Sequence, residues 1–440
     1  MEFEMKKKPS VLFILDKWCA SNPDHGISEW ESNIWGSLES TGLAICEKFH
    51  FDEYYSLYHE AGDAALVQKC LDYKPDIVCL VIYRFPDSNP NVLTIHTLDI
   101  IRHKLKIPMI AIWGDLEIPE QIEISKMILP FVDFNVCTAS SAAVSRIAQP
   151  LKYLYSWVPK DAIYFYNPGI ERDISLCYVG SPKSGRLAAI NCLRRNGINA
   201  YQGGGERQQH FSTKQYAQIF MRSKIALSFS RAWYSHVTNA RAFEVTLCGA
   251  MLLEQESFET AKLFTPFIDY VPFYSRKDLV EKAKYYLAHD DERRAIADNG
   301  CRRSHEKYSA TNFWRIALNK ALNPEKSEQG FNENILKLTP ERLSKLPLSH
   351  SLKLRLLNYS YSNFVIIHNI SIIQYLIISK FALWWRASIY FLRLLSKTRF
   401  IETILKHSLK HSPKWFLRML IKITGKLKLS KFRRLIIEIS

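Results

Sequence analysis

An arginine and a glutamate stand three residues apart in the stretch 238–254, near the start of a predicted short helix. Because residues three apart on a helix share one face, Arg241 and Glu244 are predicted to face the same space. A helix N-terminus beside an arginine suits a phosphate group. A carboxylate one turn further along can accept hydrogen bonds from the vicinal hydroxyls of a sugar. The stretch therefore predicts a place where a phosphate and a sugar bind side by side.

The surrounding residues predict the elements that position this pair. Thr238 and Asn239 are favourable residues for the N-cap of a helix. Gly249 stands where a helix C-terminus requires a residue with positive φ. Residues 250–253 form an apolar run of strand length. We expect a polar turn, a helix, a glycine stop and a buried strand.

The pattern R-x-F-E-x-x-x-C-G-A, from Arg241 to Ala250, resembles the donor-site helix of GT-B glycosyltransferases. It is most similar to the group 1 and spore-maturation-type glycosyltransferases. The resemblance implies a nucleotide-sugar donor and implies that Glu244 holds the nucleotide ribose. Asn239, Arg241 and Phe243 are assigned to the same donor site on this motif.

Glu244 also has an alternative role. Phe243 and Val245 flank it, so its helix is predicted to be packed, and a carboxylate there requires partners. Ribose hydroxyls are one set of partners, and a salt bridge to Arg241 is the other. Many retaining glycosyltransferases of this fold carry a second glutamate about eight residues earlier, where this sequence has His236. Retention or inversion at the sugar therefore stays open.

A second donor-site segment is predicted after the strand 176–179. Gly180 and Ser181 let backbone N–H groups approach a diphosphate closely, and Lys183 and Arg186 could neutralise it. Taken alone, the segment reads equally well as an ordinary turn between a strand and a helix. In glycosyltransferases of this fold, basic residues resembling Lys183 or Arg186 stabilise the departing nucleotide diphosphate.

Two further residues are expected at the same edge of the second sheet. Gly203 lies in a run of glycines, where a flat nucleobase could lie against the backbone or the loop could simply be flexible. Ser230 follows the next strand and, by the resemblance, faces the donor sugar and diphosphate. The sequence has no obvious D-x-D motif, so we expect no metal and no cofactor beyond the nucleotide-sugar co-substrate.

A general base for an inverting reaction is expected from the first domain, where strands end. The candidates are Asp24 and His25, in the loop after the first strand, and Asp115, after the fourth. A base that removes the proton of an acceptor hydroxyl contributes ~10²–10⁴-fold to the rate. Each of the three could equally cap a helix or bind water.

Short apolar runs alternate with helical patterns along most of the chain, which predicts parallel sheets covered on both faces. The expected fold class is α/β, with two doubly wound Rossmann-like domains and a cleft between them as the site. The predicted parts are an acceptor domain, a donor domain, a linker and a basic helical tail, at residues 1–160, 161–325, 326–340 and 341–440.

Charge separates the tail from the rest. The formal net charge is +16, and residues 341–440 hold 19 Lys and Arg against 3 Asp and Glu. The remaining residues are balanced, so the body is not expected to bind nucleic acid, whereas the tail requires an anionic partner. The apolar run 364–392 is interrupted by polar residues. It is read as an interfacial membrane-binding region, with a transmembrane helix or a partner-binding module as alternatives.

These features lead to one functional hypothesis and two alternatives. Nine scattered cysteines without a C-x-x-C pair fit a reducing cytosol and argue against structural zinc. The leading hypothesis is a cytoplasmic glycosyltransferase, peripheral at the inner face of the membrane, which glycosylates a glycan or lipid-linked hydroxyl acceptor in polysaccharide or glycolipid synthesis. The alternatives are a nucleotide-sugar epimerase on the same fold and a non-catalytic scaffold that binds nucleotide sugars at membranes.

Overall fold

The structure is a computed structural model. It describes the residue ranges 7–81, 93–116, 118–138, 153–166, 169–182, 185–204, 211–230 and 237–323. The chain divides into two compact units, residues 1–360 and 361–440. All described residues belong to the first unit. The predicted linker 326–340 and basic tail 341–440 lie outside the described residues. Within the described ranges, no helix is long and apolar enough to cross a membrane.

The first sheet has six parallel strands in the order β2-β1-β3-β4-β5-β6. Their bounds are β1 Ser10–Ile14, β2 Ile45–Phe49, β3 Ile77–Leu80, β4 Met109–Trp113, β5 Phe134–Cys137 and β6 Tyr153–Tyr155. Strands β3, β4 and β5 are buried along their whole length. Continuous burial follows from their unbroken apolar runs, because helices cover both faces of a parallel sheet.

The first domain also contains helices and two π-helical stretches. The helices are α1 Gly36–Thr41, α2 Phe51–Tyr58, α3 Asp63–Tyr73, α4 Ile95–Asp99, α5 Pro119–Ile128 and α6 Ala162–Phe165. One π-helical stretch, Glu31–Trp35, leads directly into α1, and the other, Ile100–Lys104, continues α4. The π-helix is rare and often occurs at a functional site, so Glu31–Trp35 is a candidate part of such a site.

The second sheet has five parallel strands in the order β11-β10-β9-β7-β8. Its strands are β7 Ile174–Val179, β8 Ala200–Gly203, β9 Ser223–Phe229, β10 Met251–Gln255 and β11 Val271–Phe273. Its helices are α7 Gly185–Arg195, α8 Thr213–Met221, α9 Ala240–Leu247, α10 Phe258–Leu263, α11 Arg276–Ala288, α12 Asp290–Lys307 and α13 Ala310–Leu322.

The predicted fold class is confirmed: two doubly wound parallel sheets carry helices on both sides. Four elements were not predicted, namely α2, β6, α6 and α10. The last helix, α13, returns to the first domain, where Trp314 Nε1 donates to Ser37 Oγ at 2.9 Å. The Trp314 ring also meets the ring of Phe13 edge-on at 5.6 Å. The two domains are therefore joined by packing as well as by the chain.

Candidate active site

The N-terminus of α9 lies at the end of strand β9. Asn239 is the N-cap residue, but its side chain makes no capping hydrogen bond. Its Nδ2 instead donates to the carbonyl oxygen of Phe229 at 2.7 Å. This contact fixes the start of the helix to the carboxyl end of the strand, the edge where open α/β sheets bind ligands.

Gly180 and Arg241 approach each other closely at this edge. Gly180 has φ +136°, and a Cβ atom there would lie 2.6 Å from Arg241 Nη2. The Gly180 N–H donates to the carbonyl oxygen of Gly203 at 2.8 Å. The two segments that the sequence assigned to one donor site therefore lie together, and only a glycine leaves room for the guanidinium.

Tyr178 lies between two cationic side chains. The Arg241 Cζ atom is 5.2 Å from the centre of its ring, and Arg186 Nη1 donates to its hydroxyl at 3.2 Å. The hydroxyl in turn donates to the carbonyl oxygen of Ser181 at 3.0 Å. Arg241 and Arg186 are thus both placed at the end of β7, where a diphosphate could bind. The predicted partner Lys183 lies outside the described residues.

Glu244 forms an ion pair that the sequence did not predict. Its Oε1 accepts a hydrogen bond from Lys160 Nζ at 2.5 Å, and both residues are buried, 6% and 2% exposed. The Tyr216 hydroxyl lies 3.5 Å from the same oxygen. The expected alternative of a salt bridge to Arg241 is wrong, because Arg241 turns toward Tyr178 and Gly180 instead.

Glu29 of the first domain faces the same group of charges. The residue is exposed to solvent, yet the protein around its carboxylate raises its pKa through desolvation. The negative charge of Glu244 raises this pKa further, whereas Lys160 and Arg241 lower it. Sequence reasoning missed Glu29 because it stands in no recognisable motif.

The segment that carries Glu29 is anchored on the second domain. Ser32, in the π-helical stretch that follows, shares a hydrogen bond of 2.7 Å with Thr213 of α8. Tyr216, one turn further along α8, approaches Glu244 and has its pKa raised well above the ordinary value, first by burial and then by the charges of Glu244 and Glu29. Helix α8 therefore contacts both the segment that carries Glu29 and the side chain of Glu244.

Three residues that were predicted to contact the donor pack against other side chains instead. Phe243 is fully buried against the rings of Phe264 and Tyr308, so it offers no surface to a ligand. Ser230 is fully buried and donates its hydroxyl hydrogen to Glu254 Oε1. A Cβ on Gly203 would meet the Phe211 ring at 2.7 Å, so an aromatic side chain occupies the space assigned to a nucleobase.

The three predicted base candidates lie on the first domain. Asp24 and His25 are exposed in the 3₁₀ turn Pro23–His25, where the Asp24 N–H donates to Asn22 Oδ1 at 3.0 Å. Asp115 is exposed after β4, although surrounding protein raises its pKa by desolvation. Their assignment as bases stays a prediction. Among the described residues, no group of three or more His, Cys, Asp or Glu could hold a metal ion.

Part of the chain is similar to a known protein family. Residues 186–319 match a family model described as "Glycosyl transferase-like". This region contains Arg241 and Glu244, but neither Glu29 nor Lys160. The match does not distinguish the spore-maturation-type branch, which stays a prediction. No curated protein matches the sequence.

Several solved structures resemble the chain weakly. HepE of Anabaena in complex with UDP-glucose has a TM-score of 0.48 and 12% identity, over 71% of this chain and 99% of that one. T4 phage BGT in complex with UDP-glucose has a TM-score of 0.44 and 13% identity, over 71% and 99%. A glycosyltransferase from Rickettsia africae has a TM-score of 0.47 and 9% identity, over 73% and 100%. Similarity of this degree says nothing about what this chain binds.

Proposed function

We propose that the chain is a glycosyltransferase that moves a sugar from a nucleotide-sugar donor to a hydroxyl acceptor. The observation that carries the proposal is that Arg186 and Arg241 both contact Tyr178 at the end of β7, with Glu244 one turn along α9 from Arg241. The charges of Glu244 and Arg241 both act on the carboxyl group of Glu29. The glycosyl transferase-like match over residues 186–319 supports it.

The arginines suit the diphosphate of the donor. A guanidinium donates several N–H groups in a fixed geometry that matches phosphate oxygens. Arg241 stands at the N-terminus of α9, where the helix dipole adds to its charge. Because two cations are available, we propose that the departing nucleotide diphosphate is stabilised without a metal ion.

Glu244 suits the ribose, with Lys160 as its partner in the unliganded protein. One carboxylate can accept several hydrogen bonds, so ribose hydroxyls can bind it while Lys160 holds Oε1. Lys160 then orients the Glu244 carboxylate. Charge-assisted hydrogen bonds of this kind contribute about 1.5–3 kcal/mol each.

Glu29 suits the role of general base. It comes from the first domain, faces the charges of the donor helix, and is open to solvent from which an acceptor could enter. A carboxyl whose pKa is raised is a better proton acceptor near neutral pH. A base opposite the donor corresponds to direct displacement with inversion at the sugar.

The functional test is a turnover assay with UDP-glucose, GDP-mannose and ADP-glucose, each offered with and without a panel of glycosides and lipid-linked sugars. We expect nucleoside diphosphate to be released together with a glycosylated acceptor. Isomerised nucleotide sugar in the absence of acceptor would establish the epimerase alternative. Binding without any turnover across the panel would establish the scaffold alternative.

We also propose an acceptor, a pathway and a membrane role, which rest on the composition of the basic tail. The basic tail 341–440 suits an anionic membrane surface, since each Lys or Arg near such a surface adds ~1 kcal/mol. A peripheral enzyme at the inner membrane face would act on a lipid-linked acceptor in polysaccharide or glycolipid synthesis.

Replacing Gly180 by alanine is expected to weaken the binding of a nucleoside diphosphate by about tenfold or more. The new Cβ would lie 2.6 Å from Arg241 Nη2, at a φ of +136°, so the guanidinium has to move. Strained backbone of this kind costs about 1–3 kcal/mol. Calorimetric titration and thermal unfolding measure both effects.

Gly185→Ala is the matched control, because a Cβ added to Gly185 would meet no atom within 4 Å and the φ of this residue is not positive. It should leave affinity unchanged and should not lower stability, because alanine is at least as favourable as glycine in a helix. Equal affinity of the wild type and Gly180→Ala for the nucleoside diphosphate would show that Arg241 does not bind the diphosphate.

A further inference from the structure

The start of α2 contacts two segments that lie on either side of Glu29 in the sequence. Asp52 and Glu53 contact the residues that follow β1. His50, the N-cap residue of α2, contacts the π-helical stretch Glu31–Trp35. Both segments lead to Glu29, so the start of this helix can determine where the Glu29 carboxyl group lies.

Asp52 fixes the backbone shortly after β1. The residue is buried, 3% exposed, and its two carboxylate oxygens accept the backbone N–H groups of Lys17 and Trp18, each at 2.9 Å. A carboxylate can accept both N–H groups at once, whereas an amide has a single acceptor oxygen. Lys17 Nζ also forms an ion pair with Glu53. The chain is therefore held on α2 at the point where it leaves the sheet.

The loop that begins there is closed on itself. Trp18 and Ile27 form an antiparallel bridge. The Ser28 N–H donates to the carbonyl oxygen of Lys17 at 2.8 Å. Glu29 follows Ser28 directly, so its backbone continues a loop whose two ends are joined at Lys17.

Glu31 anchors the chain on the other side of Glu29. Its Oε2 lies 2.7 Å from His50 Nε2, and its Oε1 pairs with Lys48 Nζ. Burial raises the pKa of Glu31, but its contacts with His50 and Lys48 lower this pKa below the ordinary value, so the carboxylate is ionised at neutral pH. Lys48 Nζ also lies 3.5 Å from the centre of the Trp35 ring. The π-helical stretch is therefore held at both of its ends.

We propose that Asp52 and Glu31 are positioning residues, which hold Glu29 where it can remove the proton of the acceptor hydroxyl. Asp52 acts on the backbone before Glu29, and Glu31 acts on the stretch after it. The contacts named above all lie within the first domain, whereas the proposed donor contacts come from the second. This inference rests on the proposed function and adds the residues that support its general base.

The test uses the full-length protein with a donor and an acceptor that the wild type turns over. Asp52→Asn keeps the shape of the side chain but places an NH2 group against one of the two backbone N–H groups. Because a misplacement of about 1 Å can cost ~10²-fold in rate, we expect kcat to fall about ten- to hundredfold. The affinity for the nucleotide sugar, measured by calorimetry, should stay unchanged.

Asp133→Asn is the matched control for this variant. Asp133 also accepts a backbone N–H, from Met109 at 2.8 Å, but this contact lies at the amino ends of β4 and β5. Ligands bind at the opposite edge of such a sheet. Asp133→Asn should lose stability in urea and keep the kcat of the wild type.

Lys48→Met keeps the test decisive if Asp52→Asn does not fold, because the Lys48 side chain is 31% exposed. It removes the cation that holds Glu31, and the smaller displacement should lower kcat about three- to tenfold. Lys69→Met is its control: the Lys69 side chain is 32% exposed and pairs at 2.9 Å with Glu47, on the same strand as Lys48. Its kcat should equal that of the wild type.

A double-mutant cycle separates positioning from a purely structural role. If Asp52 acts through Glu29, Asp52→Asn should cause no further loss of kcat in a Glu29→Gln background. A loss that is the same in both backgrounds would overturn the inference, because the substitution would then act on the fold and not through the base.

Wild-type kcat in folded Asp52→Asn and Lys48→Met would also overturn the inference, while leaving the proposed function in place. If the wild type turns over no nucleotide sugar with any acceptor, the proposed function fails, and this inference fails with it.

Discussion

Replacing Glu29 by glutamine is expected to lower kcat for sugar transfer by about 10²–10⁴-fold, the usual contribution of a general base. The donor should still bind with nearly wild-type affinity, because the phosphate and ribose contacts come from the second domain. Glutamine has the same shape as glutamate but cannot accept the proton of an acceptor hydroxyl. Initial rates and donor affinities of the two proteins measure the effect.

The pH profile gives a second readout of the same prediction. Ionised Glu29 is the active form, so the rate should fall as the pH drops through its pKa. Because desolvation raises that pKa above the ordinary value of 4.5, the acid limb should lie above pH 4.5. Glu39→Gln is the control, since Glu39 is exposed on α1 and should leave the rate unchanged. A Glu29→Gln variant that keeps most of its kcat would exclude Glu29 as the base.

Replacing Lys160 by methionine is expected to destabilise the protein by about 3–5 kcal/mol, because a buried carboxylate loses its partner. The side chains of Lys160 and Glu244 are only 1% and 8% exposed, so water cannot replace the lost contact. Lys160 also lowers the pKa of Glu29, so its loss should raise that pKa further. Urea denaturation measures the first effect, and the acid limb of the rate profile measures the second.

Two controls separate the ion pair from general effects of substitution. The double variant Lys160→Met, Glu244→Leu should recover most of the lost stability, since removing both partners leaves no unpaired charge. Arg222→Met breaks an ion pair with Asp173 whose side chains are about half exposed, and should destabilise the protein far less than Lys160→Met. A Lys160→Met variant as stable as Arg222→Met would show that the pair contributes little.

The sheets were predictable because their signals are local. Strands such as β3 and β4 are unbroken apolar runs between polar segments, and that pattern alone predicts parallel strands. Helix α2 was missed because its aromatic and acidic residues show no clear apolar stripe, and only two of them are buried. Strand β6 was missed because its three residues are too few to form a pattern.

The donor segments were predictable for the same reason. Gly180 and Arg241 stand in short motifs at strand and helix ends, and their contact follows once both motifs share one sheet edge. The burial of Phe243 and Ser230 was not predictable, because a motif gives spacing but not which face of the helix or strand meets the core.

Lys160 and Glu29 could not be predicted from local spacing. Lys160 is 84 residues from Glu244 in sequence, and Glu29 lies in another domain. Arg241 was the only cation within helical reach of Glu244, so it was the partner that local reasoning offered. Contacts between distant segments depend on how the two domains pack, and no short pattern encodes that arrangement.

The central claim is that a nucleotide sugar binds with its ribose on Glu244 and its diphosphate on Arg241. The most direct measurement is calorimetric titration of UDP-glucose, GDP-mannose and ADP-glucose into the full-length wild type and Glu244→Gln, each checked for its fold by circular dichroism. We predict that at least one of them binds the wild type and binds folded Glu244→Gln about tenfold or more weakly, in line with the loss of charge-assisted hydrogen bonds. Equal affinity in the two proteins, or no binding of any nucleotide sugar to the wild type, would contradict it.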